Sequence, residues 1–394
     1  MNKPTASISN SVFLLFIIAV SANLRMSVTA VSPLFPQIRA SWGTSSTFAS
    51  LLVTLPLLCF AAGAVVTPAI VRSLGLKATF TVMAAALGIA SVLRPATPLL
   101  LIAGTVLVGL AIACLNVALP ILIATLHPDR ATQLTSYYSL SQSLFSAVAT
   151  AAVIPLTSMI GWQNTLRIFA VPAIFVAIFA VVLPLPAVQR TTAVGKDTPH
   201  SARHLKDLLR DSYAWLLAGF MALQSMIFYS LSAWLPSIFM HFDASSQNAG
   251  FLLSIFQLIG IPAALLVSLI PHQRIILALN AAGYFIGIVA LPFGTIGMWT
   301  AALCLGFTAA LIFTQALALV TSSSRDPDIV AARSGFAQAV GYLIAASGPM
   351  IFGWLPSVMP GGWSGTLWVF AAVMAVTIAI GAAAISRDRK EHGR

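Results

Sequence analysis

Twelve apolar segments take up most of this chain, and their shared length constrains its fold more than any motif does. They run at about 11 to 36, 47 to 71, 77 to 94, 99 to 124, 131 to 157, 163 to 186, 211 to 238, 247 to 270, 274 to 292, 296 to 320, 331 to 355 and 364 to 386. Each is roughly the ~17 to 25 residues that a helix needs to cross a hydrocarbon core about 30 Å thick. Spanning strands would alternate with period two, which VMAAALGIASVL from Val82 does not. The expected class is therefore an all-α membrane protein with twelve transmembrane helices. Charged residues are 7% of the chain, far below the ~25% of soluble domains, so the lipid bilayer is the expected surroundings. A net charge of +11 would suggest nucleic acid only if the charges shared one exposed face. They are scattered through short loops, so no nucleic-acid partner is expected.

Lys3 ahead of an apolar run ending in AVSAN has some features of a cleaved leader. Apolar sequence continues past Ala22 and eleven similar segments follow, so the expectation is an uncleaved first helix. If the N-terminus is cytoplasmic, sixteen Lys and Arg residues fall on that side, Arg39 and Arg94 fall outside, and Arg25 and Arg167 lie within spans. Retention of positive loops then predicts a multi-pass protein of the cytoplasmic (inner) membrane with both termini cytoplasmic. Cys59, Cys114 and Cys304 all lie in apolar segments, so no disulfide framework is implied.

The most polar long stretch, Ala187 to Ser212, divides the helices six and six. The expected organisation is an N-terminal half over 1–190, a cytoplasmic linker over 191–210 and a C-terminal half over 211–394. The halves also repeat each other. RMSVTAVSPLFPQI from Arg25 aligns with SMIFYSLSAWLPSI from Ser225, and GWQNTLRIFA from Gly161 matches GWSGTLWVFA from Gly362 at six of ten positions. Six helices separate the copies, so they share one orientation and form parallel repeats related by an axis along the membrane normal.

Several segments resemble the cyanate and 2-nitroimidazole transporter branch of the major facilitator superfamily. They are NLR at Asn23, GLAIA at Gly109 followed by NVALP at Asn116, LQSMIFYSLSAWLP at Leu223 and QAVGYLIAASGP at Gln338. The chain departs from that pattern at Leu115, where the family usually has glycine, and in VRSLGLK at Val71, which lacks the superfamily's acidic loop residue. The resemblance implies two pseudo-symmetric six-helix halves, with helices 1, 4, 7 and 10 lining a central cavity and 2, 5, 8 and 11 flanking it.

Arg25 is the only charge between Lys3 and Arg39 and sits near the middle of the first span. An arginine at mid-bilayer costs ~2.5 to 3.5 kcal/mol on insertion scales, which makes a site the default reading. Ser21, Arg25, Thr29 and Ser32 share one helix face. The repeat puts Ser225, Tyr229 and Ser232 at matching positions, expected to face them across the cavity. All nine acids and all six histidines lie in loops, in tails or at helix ends. A guanidinium presents a planar fork to carboxylate-like groups, so an anionic or strongly electronegative small molecule is the expected substrate. Without an embedded acid or histidine to relay protons, uniport, exchange, or symport of a protonated substrate is favoured. The neutral candidates for substrate contact are Asn116, Tyr138, Gln142, Gln224, Tyr229, Gln257, Gln315, Gln338 and Tyr342. Each could instead join helices. Arg167 reads as an interfacial anchor, and Arg333 as pairing with acids or lipid headgroups near the cytoplasmic surface.

The expected function is secondary active or facilitative transport by alternating access, carried out by a monomer without cofactor or metal. A drug exporter of the same fold is the alternative; it would depend less on Arg25. An enzyme would need clustered His, Cys and carboxylates, and a sensor would need a soluble output domain. Neither feature is in the sequence, so no catalytic residues are expected.

Overall fold

The computed structural model describes residues 9–185, 209–263, 270, 272–324 and 327–392. Regular structure among them is helical, without strands: α1 (Asn10–Thr29), α2 (Phe35–Trp42), α3 (Ser46–Leu74), α4 (Leu76–Leu93), α5 (Pro98–Leu126), α6 (Ala131–Ile168), α7 (Ala170–Val182), α8 (Ser212–His241), α9 (Ser246–Leu258), α10 (Gln273–Ala290), α11 (Gly294–Thr321), α12 (Pro327–Ala345), α13 (Ser347–Trp354) and α14 (Trp363–His392). Ten stretches of described residues are long and apolar enough to cross a membrane.

Two features account for ten where twelve are expected. Gln133–Val182 forms one 50-residue stretch covering the fifth and sixth expected spans. Gly161 breaks it, with φ 78° and ψ 155°. The eighth expected span runs beyond α9 into 264–269, outside the described residues.

The helices satisfy their own backbones, as a hydrocarbon solvent requires. Their small hydroxyls largely do the same: Ser21, Thr79, Ser91, Thr150, Ser230 and Thr377 each donate to the carbonyl four residues back. Outward faces carry large apolar side chains, among them Leu99, Met159, Ile296 and Trp368 at 78 to 82% exposure. Lipid, not water, is the solvent those faces suit.

The described chain separates into two compact units, Met1–Thr44 with Leu58–Gly195, and Ser45–Leu57 with Lys196–Arg394. The linker expected at 191–210 falls mostly outside the described residues. In the first unit α1 packs on α5, α6 and α7, and α4 packs on α5 and α7. Phe16 sits edge-on to Phe80 and Phe179, at ring separations of 5.3 and 5.5 Å. In the second unit α8 is the hub, with α9, α11, α12, α13 and α14 against it, while α10 lies on α11 and α14. Asp211 caps α8 by accepting from the Tyr213 N–H at 2.8 Å.

The repeat read from the sequence recurs in local geometry. Gly161 and Gly362 both have positive φ, 78° and 61°. Each carbonyl then accepts from a threonine four residues on, Thr165 or Thr366, at 2.9 Å. The backbone at Gly161 is in a region essentially reserved for glycine, so Gly161→Ala is expected to cost about 1–2 kcal/mol. Thermal denaturation in detergent tests this: an unchanged melting temperature would show that the break tolerates a Cβ.

Arg94, counted among the outer charges in the sequence, is buried in the structure. α4 ends at Leu93, and a 3-10 turn over Arg94–Ala96 folds the side chain inward, leaving it 1% exposed. The close approach of α5 is the cause: a Cβ on Gly104 would lie 2.5 Å from the Arg94 Cβ.

Candidate functional site

The first unit gathers four of the predicted residues. Arg25 and Thr29 are half-buried on α1. Thr29 Oγ1 donates to the Arg25 carbonyl at 3.1 Å and accepts from Ser146 Oγ of α6 at 3.1 Å. One and two turns before Ser146 along the same face of α6, Gln142 and Tyr138 converge on α5. The Tyr138 hydroxyl donates to Asn116 Oδ1 at 2.9 Å, and Gln142 Nε2 donates to the same oxygen at 3.4 Å. Asn116 and Gln142 are half-buried, so the cluster is packed yet reachable. Ser146 is absent from the sequence reading, although its spacing of four from Gln142 and eight from Tyr138 is the available signal.

Other members of the α1 stripe are less open. Ser21 is buried and bonds to the Ile17 carbonyl at 2.5 Å. Asn23, on another face, joins helices instead: its amide donates to Ala19 O at 2.8 Å and Pro172 O at 3.2 Å. Ser32 lies beyond the end of α1 in a 3-10 turn.

In the second unit Tyr229 of α8 and Tyr342 of α12 are neighbours, with ring centroids 6.4 Å apart. Gln338 sits one turn from Tyr342, exposed, and donates to Ser334 Oγ at 3.1 Å. Gln224 is buried; its amide donates to Ser225 Oγ at 2.6 Å and to Met221 O at 3.0 Å, while its Oε1 has no protein partner. Gln257 is half-buried on α9. Gln315 is fully buried and lies in a seam between α10 and α11: it accepts from Asn280 Nδ2 at 3.1 Å and donates to Gln273 O at 2.7 Å. Asn280 does not stand out in the sequence, because its partner lies on the next helix and periodicity within one helix does not show it.

A cleft of about 700 Å³ lies between α10 and α14, lined by Tyr284, Phe285, Phe293, Trp368, Met374 and Ile378. Its outermost rings, Phe285, Phe293 and Trp368, are 69 to 79% exposed. Such walls suit lipid chains and offer nothing to a polar solute. Among the described residues no three His, Cys, Asp or Glu side chains converge to hold a metal ion.

At the end of the second unit that carries Asp211, Arg333 is tied down. Its Nε and Nη2 donate to Asp211 Oδ2 at 3.2 and 2.7 Å, its Nη1 donates to Ser323 O at 2.6 Å, and its Cζ lies 5.0 Å from the Tyr213 ring centroid. Burial pushes the Asp211 carboxyl up, but hydrogen bonds from Arg333 and from the Tyr213 and Ala214 N–H groups, with the Arg333 charge, outweigh it and hold the carboxyl below its ordinary value. Tyr213 in turn donates to Asp388 Oδ1 at 3.0 Å. Arg167 donates to Asn164 Oδ1 at 2.9 Å and stays exposed.

Comparisons with known proteins agree with this architecture. Residues 14–349 match the model of the Major Facilitator Superfamily. The 2-nitroimidazole transporter of Escherichia coli (strain K12) is 30% identical over 383 residues, covering 95% of each chain. The cyanate transport protein CynX of the same organism is 26% identical over 381 residues, covering 93% of this chain and 95% of its own. A crystal structure of the nucleoside transporter NupG superposes with a TM-score of 0.78 at 13% identity, over 95% of this chain and all of that one, which is a likeness of fold. The helical architecture, the internal repeat and a family match over most of the chain lead to one conclusion: this is a membrane transporter of the Major Facilitator Superfamily, related to the 2-nitroimidazole and cyanate transporters.

Proposed function

We propose that this transporter moves a small anionic or strongly electronegative solute across the cytoplasmic membrane by alternating access, with Arg25 as the group that receives the solute's negative end. The observation that carries this reading is a half-buried guanidinium in the middle of an apolar span. A cation costs free energy there, and a solute with a planar electronegative group recovers it through paired hydrogen bonds. The nitro group named in one relative presents such a pair of oxygens, and the cyanate named in another is a small anion with an electronegative atom at each end, which supports an anionic or electronegative solute for this chain. Within the first unit, Asn116, Tyr138 and Gln142 orient the solute. Tyr229, Gln338 and Tyr342 line the second unit's share of the path, with Gln224 and Gln257 beside them. Gln315 acts as a helix joiner, since Asn280 and Gln273 occupy its amide.

Reconstitution in liposomes tests the reading. Cyanate, nitrate, small carboxylates, a 2-nitroimidazole, uncharged analogues of the carboxylates and a bulky apolar cation are offered in turn. Uptake confined to the anionic and nitro-bearing solutes is expected; preference for bulky apolar cations would favour a drug exporter. An imposed pH gradient tests coupling. No side-chain relay is proposed in the spans, so strong substrate-linked alkalinisation outside, with a substrate that carries no proton, would contradict it.

Asn116→Ala should raise the half-saturation concentration about tenfold, because it removes the acceptor on which Tyr138 and Gln142 meet. Tyr138→Phe should do less, since Gln142 still donates. Equal effects of both variants would mean that the Tyr138 hydroxyl, not the oxygen it shares with Gln142, sets the affinity.

A further inference from the structure

Arg94 and Arg333 are held in closely similar ways up to one point. Each gives its Nη1 to a main-chain carbonyl, Ser27 O at 2.9 Å for Arg94 and Ser323 O at 2.6 Å for Arg333. In Arg333 the other edge of the guanidinium, Nε and Nη2, grips a carboxylate oxygen of Asp211. In Arg94 the same two nitrogens are buried and have no acceptor among the described residues. The side chain is 1% exposed, and the one ion pair among the described residues is that of Arg333.

Two hydroxyls nearby are in the same condition. Ser27 supplies the carbonyl that Arg94 holds, and its Oγ has no partner. Thr105 follows Gly104, the residue pressed against the Arg94 Cβ, and its Oγ1 has no partner either. Most small hydroxyls in these helices bond to a carbonyl one turn back, as Ser21, Thr29 and Ser91 do. Ser27 Oγ and Thr105 Oγ1 are thus left without a partner on the two segments packed against Arg94. The Ser27 carbonyl itself is released by the end of α1, because Val31 N–H bonds to Val28 O instead of Ser27 O.

We propose that Arg94, with Ser27 and Thr105, forms a second buried site in the first unit that binds one small monovalent anion on the Nε–Nη2 edge. That edge presents two parallel donors, and Asp211 shows what fills it elsewhere in the same molecule. The ligand is small because the guanidinium is almost wholly enclosed, with the side chain 1% exposed. It is distinct from the substrate of Arg25: residues 25 and 27 point about 200° apart around a helix, so Arg25 and the Arg94 site lie on opposite sides of α1. The bound anion neutralises a charge in the interior and stabilises the packing of α1, the α4–α5 turn and α5.

The test uses the purified full chain in detergent, exchanged into a buffer whose only anion is too large to enter. Chloride, nitrate, formate and acetate are then titrated while the melting temperature is followed. A saturable rise at millimolar anion is expected for wild type and for Arg25→Gln. In the Arg25→Gln background, where the substrate site does not contribute, Arg94→Gln should remove it, and Thr105→Val and Ser27→Ala should weaken it by about three- to tenfold, as loss of one hydrogen bond to an ion does. A response to chloride and nitrate alone would assign an inorganic ion, and one to formate and acetate a carboxylate. An unchanged response in Arg94→Gln, or none in wild type, overturns the site. Should Arg94→Gln fail to fold, Thr105→Val decides, and an unaltered titration in that variant overturns it. Because Arg25→Gln is a separate arm, failure here leaves the substrate reading at Arg25 standing, and the reverse also holds.

Discussion

Arg25→Gln is expected to cut uptake of the anionic substrate by about one to two orders of magnitude while the protein still folds, since a charged hydrogen-bonded contact contributes roughly 1.5–3 kcal/mol. Folding should survive because the substitution removes a charge from the middle of an apolar span, which lowers the cost of inserting that helix. Thr29 would keep its bond to the residue 25 carbonyl, and Ser146 its bond to Thr29, so the local backbone has no reason to move. Arg25→Lys separates charge from shape. It restores a cation but not the planar fork, so its uptake should fall between those of wild type and Arg25→Gln. The measurement is the initial rate against substrate concentration in liposomes, with the melting temperature recorded for each variant. Normal uptake by a well-folded Arg25→Gln protein would remove Arg25 from the site and turn attention to the exporter reading.

What the sequence shows of this fold and what it hides have a common physical origin. Spans are legible because a bilayer demands one length and one kind of surface from every helix. The repeat that carries the break in α6 is legible too, since GWQNTLRIFA and GWSGTLWVFA share a glycine that both copies use at positive φ. Arg25 stands out as a lone charge in an apolar run, and the pair Tyr138 and Gln142 as an i,i+4 spacing. That the pair meets on Asn116 is not visible, because the oxygen belongs to another helix 22 and 26 residues away. The burial of Arg94 is hidden for a related reason, because Gly104, which packs against its Cβ, lies on the next helix. The missing acid in VRSLGLK is visible, and so is the expected pairing of Arg333, but not that its partner is Asp211, 122 residues away, in a pair that ties α8 to α12.

That pair leads to the second large expected effect. Asp211→Asn should destabilise the protein by about 2–4 kcal/mol, somewhat below the roughly 3–5 of a fully buried pair, because Asp211 keeps a quarter of its side-chain surface exposed. The carboxylate caps α8 with Oδ1 and accepts from Arg333 with Oδ2, so asparagine keeps the cap and loses the charged inter-helix tie. Arg333→Ala should cost a similar amount, and the double variant less than the sum, since both remove the same contact. The pH dependence has a definite sign. A carboxyl whose value is lowered on folding contributes stability that is fully present above its unfolded value and is lost as pH falls through its folded value. Wild type should therefore lose this contribution only below the ordinary carboxylate range, and Asp211→Asn should lack that part of the acid slope. α8 also carries Gln224 and Tyr229, and α12 carries Gln338 and Tyr342. Loosening the pair should therefore alter uptake even where substrate contacts are intact. An Asp211→Asn protein that melts like wild type and follows the same acid profile would mean that packing of α12 on α8, without the ion pair, holds these two helices together.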